Sequence, residues 1–153
     1  MNMLGCSPNL NQNEEVTMSD PFQDVDSAGI EFAEATAKTM EIRQSEPVME
    51  KIVHDYLVEL EFTTERPTVE VGCGPGAISR RIARHAKEAQ VIGFDPSSNY
   101  IEIARNQSGD LKNVEFQVFD GEKMPLNDGG AESVIMHTVL SHVIDPSKLI
   151  GEA

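Results

Sequence analysis

A chain of 153 residues, 39% apolar and 25% charged, is long enough for one domain with a hydrophobic core and too mixed for a disordered or fibrous protein. No apolar run approaches the ~20 residues of a membrane helix, and the opening MNMLGCSPNLNQNEE lacks the basic and apolar segments of a secretory signal. The net charge is −14, with 14 acidic and 4 basic side chains in residues 1–66 against 12 and 8 in residues 67–153; so acidic a surface repels phosphate backbones and disfavours a nucleic-acid substrate.

Residues 1–26 are rich in Asn, Ser, Asp and Glu with little apolar periodicity, which predicts a mobile acidic arm. Residues 27–62 predict two cap helices. The first is the Ala-rich stretch from Ser27 to about Arg43. The second starts at Pro47, a residue suited to the first helical position, and carries Val48, Ile52, Val53, Tyr56, Leu57 and Leu60 at three- and four-residue intervals, one buried stripe. Residues 63–153 then alternate. Thr68–Val71 is a β-rich run ending in Gly72; Ala77–Ala89 reads as a helix, Gln90–Phe94 as a strand and Ser97–Asn106 as a helix. Val114–Phe119 and Glu132–Met136 are two further strands, and a last helix begins near Pro146. Strand alternating with helix implies right-handed crossovers and a parallel sheet covered on both faces, a three-layer α/β/α arrangement of Rossmann-like type.

The two cysteines, Cys6 and Cys73, stand far apart, one in a polar tail and one in a glycine loop. They suit neither a disulfide nor a metal site, so no metal and a reducing, cytoplasmic location are expected.

The informative segment is Val69-Glu70-Val71-Gly72-Cys73-Gly74-Pro75-Gly76-Ala77. A strand runs through three alternate glycines into a helix, which permits positive φ and close approach of a ligand to the backbone. Gly72, Gly74 and Ala77 also satisfy the dinucleotide fingerprint, in which loop amides and the helix dipole hold a pyrophosphate. Glu70 helps to separate the two readings, unless a local Arg or backbone amides pair with it. A carboxylate near the end of a central parallel strand is costly to bury without compensation; a ligand carrying an ammonium and a sulfonium supplies it, whereas a pyrophosphate makes matters worse. Cys73 reads as a small loop filler, with no base beside it to make it a nucleophile.

Asp95 ends the second strand about 20 residues beyond the glycine loop, where a carboxylate grips ribose hydroxyls. That feature serves NAD and S-adenosylmethionine equally. Asp120, ending the third strand before Gly121, points into the crevice at the carboxyl ends of the strands and suits an adenine amino group. Three acidic residues at three successive strand ends form one candidate adenosine site.

Together VEVGCGPGAIS, VIGFDPSSNYIEIAR, FQVFDGEKMPL and VIMHTVLSHVIDPSKLIGEA resemble the class I S-adenosylmethionine-dependent methyltransferases, in particular the small-molecule group that includes quinone-biosynthesis methylases. The resemblance implies that Glu70 and the backbone of Gly72, Gly74 and Gly76 surround the methionine portion of the cofactor. Asp95 binds the ribose, Tyr100 covers one adenine face, and Asp120 with Gly121 meets the adenine edge. His137, Thr138 and Val139 line the floor near the sulfonium, and His137 and His142 are the nearest candidates for a base. It departs from the family at Ala131 and Glu132, where an aromatic residue and Asp are usual. The family sheet has seven strands and four are predicted here, so a C-terminal truncation is expected, with the fourth strand an exposed edge through which a homodimer could form. The implied function is methylation of a small molecule; a non-catalytic adenosine-binding fragment and a nicotinamide-dependent oxidoreductase are the alternatives. No nucleic-acid or membrane partner is expected.

Overall fold

Two runs set the frame. TVEV at Thr68–Val71 and VIGFD at Val91–Asp95 form strands β1 and β2, every residue of which is buried, as parallel strands covered on both faces require. The computed structural model describes residues 20–153; expectations for residues 1–19, including Cys6, lie outside that range. Strands β3 (Val114–Val118) and β4 (Ser133–Ile135) complete a parallel sheet of order β3-β2-β1-β4, with Glu70 opposite Gly93 on one side and Ile135 on the other. The helices are α1 (Val25–Ala28), α2 (Ile30–Gln44), α3 (Pro47–Leu57), α4 (Ala77–His85), α5 (Ser98–Gln107) and α6 (Pro146–Glu152), with a 3-10 turn at Leu140–His142. This is the α/β, Rossmann-like architecture expected from the sequence. None of the helices among the described residues is long and apolar enough to cross a membrane.

The pleat sorts the core into two layers. Val69, Val71, Ile92 and Phe94 pack with Phe119, Met124 and Leu149, while Val91 meets Ile78 and Ile82 of α4 and Val53 and Leu57 of α3. Strand and helix limits fall close to those expected. Helix α4 is the exception: it stops at His85, not Ala89. Asn113 Nδ2, with two hydrogens to share, lies 3.0, 3.1 and 3.0 Å from the carbonyls of Ala83 in α4 and of Ala86 and Ala89 beyond it, which holds the chain after the helix in a turn. Glu132 ties β4 to the segment before β1, accepting from Arg66 at 2.8 Å and Thr63 at 3.2 Å.

The N-terminal region departs furthest from expectation. The arm predicted through residue 26 is packed by residue 20: Val25 is buried with Ala33 and Tyr100, and Phe22 lies against them. The single helix predicted from Ser27 breaks at Gly29, whose φ of 88° starts α2 afresh. The stripe on α3 is only partly buried. Val53 and Leu57 are in the core, but Val48 and Ile52 remain 70% and 47% exposed, because α3 leans on α4 along a narrow contact.

Asp26 anchors this region. It accepts from Ser97 Oγ (2.5 Å), Ser98 N (2.9 Å), Ser98 Oγ (2.7 Å) and Asn99 N (3.2 Å), so a carboxylate from α1 caps the N-terminus of α5 where the helix dipole favours it. Asp26→Ala is expected to cost about 1–2 kcal/mol, read from the urea midpoint of the variant.

Candidate active site

The carboxyl ends of the four strands open into a cavity of about 900 Å³, roofed by Thr36, Met40, Arg43 and Gln44 of α2. The size lies at the upper end of ligand pockets, roughly 300–1,000 Å³. Two arginines of α4 hold the roof down. Arg80, buried, bridges Pro75 O of the glycine loop at 2.7 Å and Glu41 of α2; Arg81 donates to Gln44 O.

The glycine loop is made by backbone closure. Gly72 N and Cys73 N both donate to Phe94 O, at 2.7 and 2.9 Å, and Gly76 N donates to Cys73 O at 2.9 Å. Gly74 N donates to Asp95 Oδ2 at 2.8 Å. Gly72, Gly74 and Gly76 take φ of 72°, 52° and 81°, a region costly for other residues. Space decides their separate roles. A Cβ at Gly76 would stand 2.7 Å from the Phe116 ring, and one at Gly72 would collide with Val139, whereas one at Gly74 would meet only Met40 Sδ at 3.6 Å. Gly74 is thus the position that keeps the cavity side of the loop bare.

Glu70, on β1, is 2% exposed. Ser79 Oγ donates to its Oε2 at 2.5 Å, and no cation pairs with it among the described residues. Burial pushes its carboxyl up to about 8, against the lowering pull of the Ser79 hydroxyl and amide. Its carboxyl therefore occupies the first turn of α4, where a dinucleotide-binding protein would seat a pyrophosphate. With the amides of Gly72, Cys73, Gly74 and Gly76 engaged within the protein, the loop offers few donors to a phosphate. A positively charged ligand group beside Glu70 would instead let it ionise.

Asp95 closes β2. Its Oδ1 accepts from Ser97 N at 2.9 Å and its Oδ2 from Gly74 N. Two of a carboxylate's four acceptor positions are used, which leaves two for a diol. Burial pushes it to about 6, the Ser97 and Gly74 amides pulling the other way and nearby Asp26 pushing further up. Tyr100 is buried in the wall with its hydroxyl 2.7 Å from Thr36 Oγ1, so its ring is fixed between α2 and α5. Asp120 lines the cavity but is exposed, its Oδ1 accepting from Glu122 N at 2.9 Å; Gly121 follows at φ 84°. Cys73 is buried against Ile101, Ala104 and Phe116, and burial, with Asp95 and Glu70 nearby, holds its thiol well above the ordinary range. It is a filler, as the sequence suggested.

His137, Thr138 and Val139 all line the cavity. His137 Nε2 lies 3.2 Å from Gln44 Nε2, and its Nδ1 lies 3.5 Å from Tyr56 OH. Both ring nitrogens thus face side chains of the cap helices, Gln44 of α2 and Tyr56 of α3. Burial, with Arg43 and Arg81 nearby, holds the imidazole below its ordinary value. Thr138 has φ 60°, a strained conformation for a β-branched residue. Thr138→Gly is expected to stabilise the protein by about 1 kcal/mol, checked as a rise in melting temperature.

The sequence predicts the cap helices but not which of their residues line the cavity. Arg43, Gln44, Met40 and Thr36 come from α2, and Phe22 from the segment before α1. The available signal was Phe22, Val25 and Phe32 within an otherwise polar stretch, enough apolar surface to need a partner.

The family model for the methyltransferase domain matches residues 69–153, more than half the chain. The chain belongs to this family. A ubiquinone biosynthesis O-methyltransferase of Coxiella burnetii is 30% identical over 95 residues, covering 61% of this chain and 40% of the relative. An uncharacterized 37.1 kDa protein in transposon TN4556 of Streptomyces fradiae is 34% identical over 100 residues, covering 63% and 29%. The chain thus spans less than half the length of these curated relatives. Among solved structures, a SAM-dependent methyltransferase from Aquifex aeolicus superposes with a TM-score of 0.62 at 19% identity, covering 74% of this chain and 63% of that one. At that identity the likeness is one of fold, and the four strands of this methyltransferase domain form the Rossmann-like sheet of the class I enzymes.

Proposed function

We propose that this methyltransferase domain binds S-adenosylmethionine and transfers its methyl group to a small molecule. The observation that carries the reading is Glu70, a buried carboxyl without a cation that lines the same cavity as Asp95. A ligand with a positive charge at one end and a ribose diol at the other complements both residues; NAD would set a pyrophosphate against Glu70. When bound, the cofactor supplies an electrophilic methyl on a positively charged sulfur. The chain's own residues do the rest. Glu70 attracts the cationic portion and Arg43, at the cavity wall, suits a carboxylate. Asp95 accepts from the ribose hydroxyls, and Tyr100 and Asp120 flank the base. Helix α2 excludes water and, with the loop after β4, holds the acceptor in line, which is where most of the acceleration in a displacement at carbon arises.

The small-molecule acceptor is favoured by the net charge of −14, which disfavours phosphodiester polymers, and by the size of the cavity beneath α2. Among the described residues β4 pairs only with β1, and its other edge is the surface we assign to a second copy or another strand. A non-catalytic adenosine-binding module is the second reading; both predict the same ligand and differ in turnover. In a thermal-shift test with S-adenosylmethionine and NADH at equal concentration, stabilisation by the first alone supports the assignment. Stabilisation by NADH alone would point to the oxidoreductase reading.

A further inference from the structure

We propose that Gln44, on cap helix α2, recognises the ammonium at the cofactor's amino-acid end and makes the domain select S-adenosyl amino acids over other 5′-thioadenosines. The inference rests on the cofactor reading above and adds a specificity-determining residue to it, drawn from the cap and not from the glycine loop.

Two buried side-chain atoms have no hydrogen-bond partner among the described residues, Thr68 Oγ1 and Gln44 Oε1. Thr68 opens β1, at the end of the sheet away from the cavity. Gln44 lines the cavity and is 7% exposed. An unpaired buried carbonyl costs the empty protein stability and calls for a partner. The other end of the amide is engaged, with Nε2 3.2 Å from His137 Nε2. The backbone of this residue is pinned as well, because Arg81 of α4 donates to Gln44 O. What stays free is the terminal torsion, which is soft in glutamine, so a modest turn of the amide presents Oε1 to a donor in the cavity.

Position decides which ligand group that donor is. Thr36, Met40 and Gln44 stand four residues apart, so one face of α2 carries all three along the cavity. Thr36 Oγ1 meets the Tyr100 hydroxyl at 2.7 Å, at the end that holds Asp95. Met40 Sδ lies over the glycine loop, 3.6 Å from where a Cβ on Gly74 would stand. Gln44 reaches His137, two residues beyond Ile135, which is the strand partner of Glu70. Gln44 and Glu70 therefore share one end of the cavity, the end assigned to the cofactor's cationic portion. An ammonium carries three hydrogens, of which the Glu70 carboxylate and the Gln44 carbonyl accept two. A site whose buried acceptors face a donor rejects the analogue that lacks it, because the acceptors are then left unpaired.

The test is calorimetric titration of the full chain with S-adenosylhomocysteine and with 5′-S-(3-carboxypropyl)-5′-thioadenosine, which differs from it only in lacking the amine. The wild type is expected to prefer S-adenosylhomocysteine. Gln44→Leu, of similar size and without an acceptor, should weaken that ligand at least about tenfold, the loss of one hydrogen bond to a charged group. The same variant should bind the desamino analogue as the wild type does. Gln44→Glu, which keeps an acceptor at this position, should keep the preference. An undiminished preference in Gln44→Leu would overturn the proposal, and so would an equal loss for both ligands, which would mark Gln44 as roof packing. A reduced preference in Gln44→Glu would overturn it too, and that variant decides alone if Gln44→Leu does not fold. Failure of the folded wild type to bind either ligand would contradict the cofactor reading itself, and this inference with it.

Discussion

Glu70→Gln is expected to weaken binding of S-adenosyl ligands by at least about a hundredfold while making the ligand-free protein more stable at pH 8. The two effects share a cause. In the free protein burial holds the carboxyl up to about 8 from an ordinary value of 4.5, so at neutral pH it is largely neutral when folded and ionised when unfolded. A carboxyl raised on folding contributes stability that is fully present below the unfolded value and is lost as pH rises through the folded one. Stability of the wild type should therefore fall between about pH 4.5 and pH 8, and that part of the slope should vanish in Glu70→Gln. The variants should be close at pH 4.5 and separated by on the order of a few kcal/mol at pH 8, as read from urea unfolding at each pH. The amide keeps the shape and the Ser79 contact but cannot carry charge, so a cationic ligand loses its counter-ion.

Gly76→Ala is expected to be strongly damaging, about 3 kcal/mol or more. Its φ is 81° and a Cβ would enter the Phe116 ring at 2.7 and 2.8 Å with Ala104 at 3.0 Å. That ring is buried between β3 and α5 and has nowhere to move. Gly129→Ala is the control. It has φ 69° with open space around it, so it should show the backbone penalty alone, about 1 kcal/mol. Gly74→Ala should fall between the two in stability, since only the flexible Met40 thioether stands near, but should weaken ligand binding because its methyl enters the cavity. Thermal melts of the three variants, with binding measured on those that fold, separate the glycine that shapes the loop from the one that keeps it bare.

What the sequence revealed about this site was what lies close along the chain. Glu70, the glycines and Asp95 sit on β1, its loop and β2, and local patterns placed them without any knowledge of packing. The fold followed for the same reason, since continuous apolar runs such as VIGFD announce a strand buried on both faces. The cap helices were legible, but the residues that line the roof were hidden because their contacts are long-range. Asp26 looks like any residue of an acidic tail until α5 is placed beside it, and Asp20 until His142 is. Arg80 sits in a helix whose sequence, AISRRIARH, suggests solvated arginines; only the packing of α2 onto α4 buries it. The stripe on α3 erred in the other direction: periodicity showed which face was apolar but not how much of it a neighbour would cover.

The most direct test of the cofactor assignment is calorimetric titration of the chain with S-adenosylhomocysteine at pH 7, in two buffers of different ionisation enthalpy, with NADH run alongside. Saturable binding of S-adenosylhomocysteine, no binding of NADH, and an enthalpy that reports proton release on binding are the expected results, the proton coming from Glu70 as it ionises beside the ligand's ammonium. Binding of NADH in preference, or the absence of S-adenosylhomocysteine binding by a protein shown to be folded, would contradict the account.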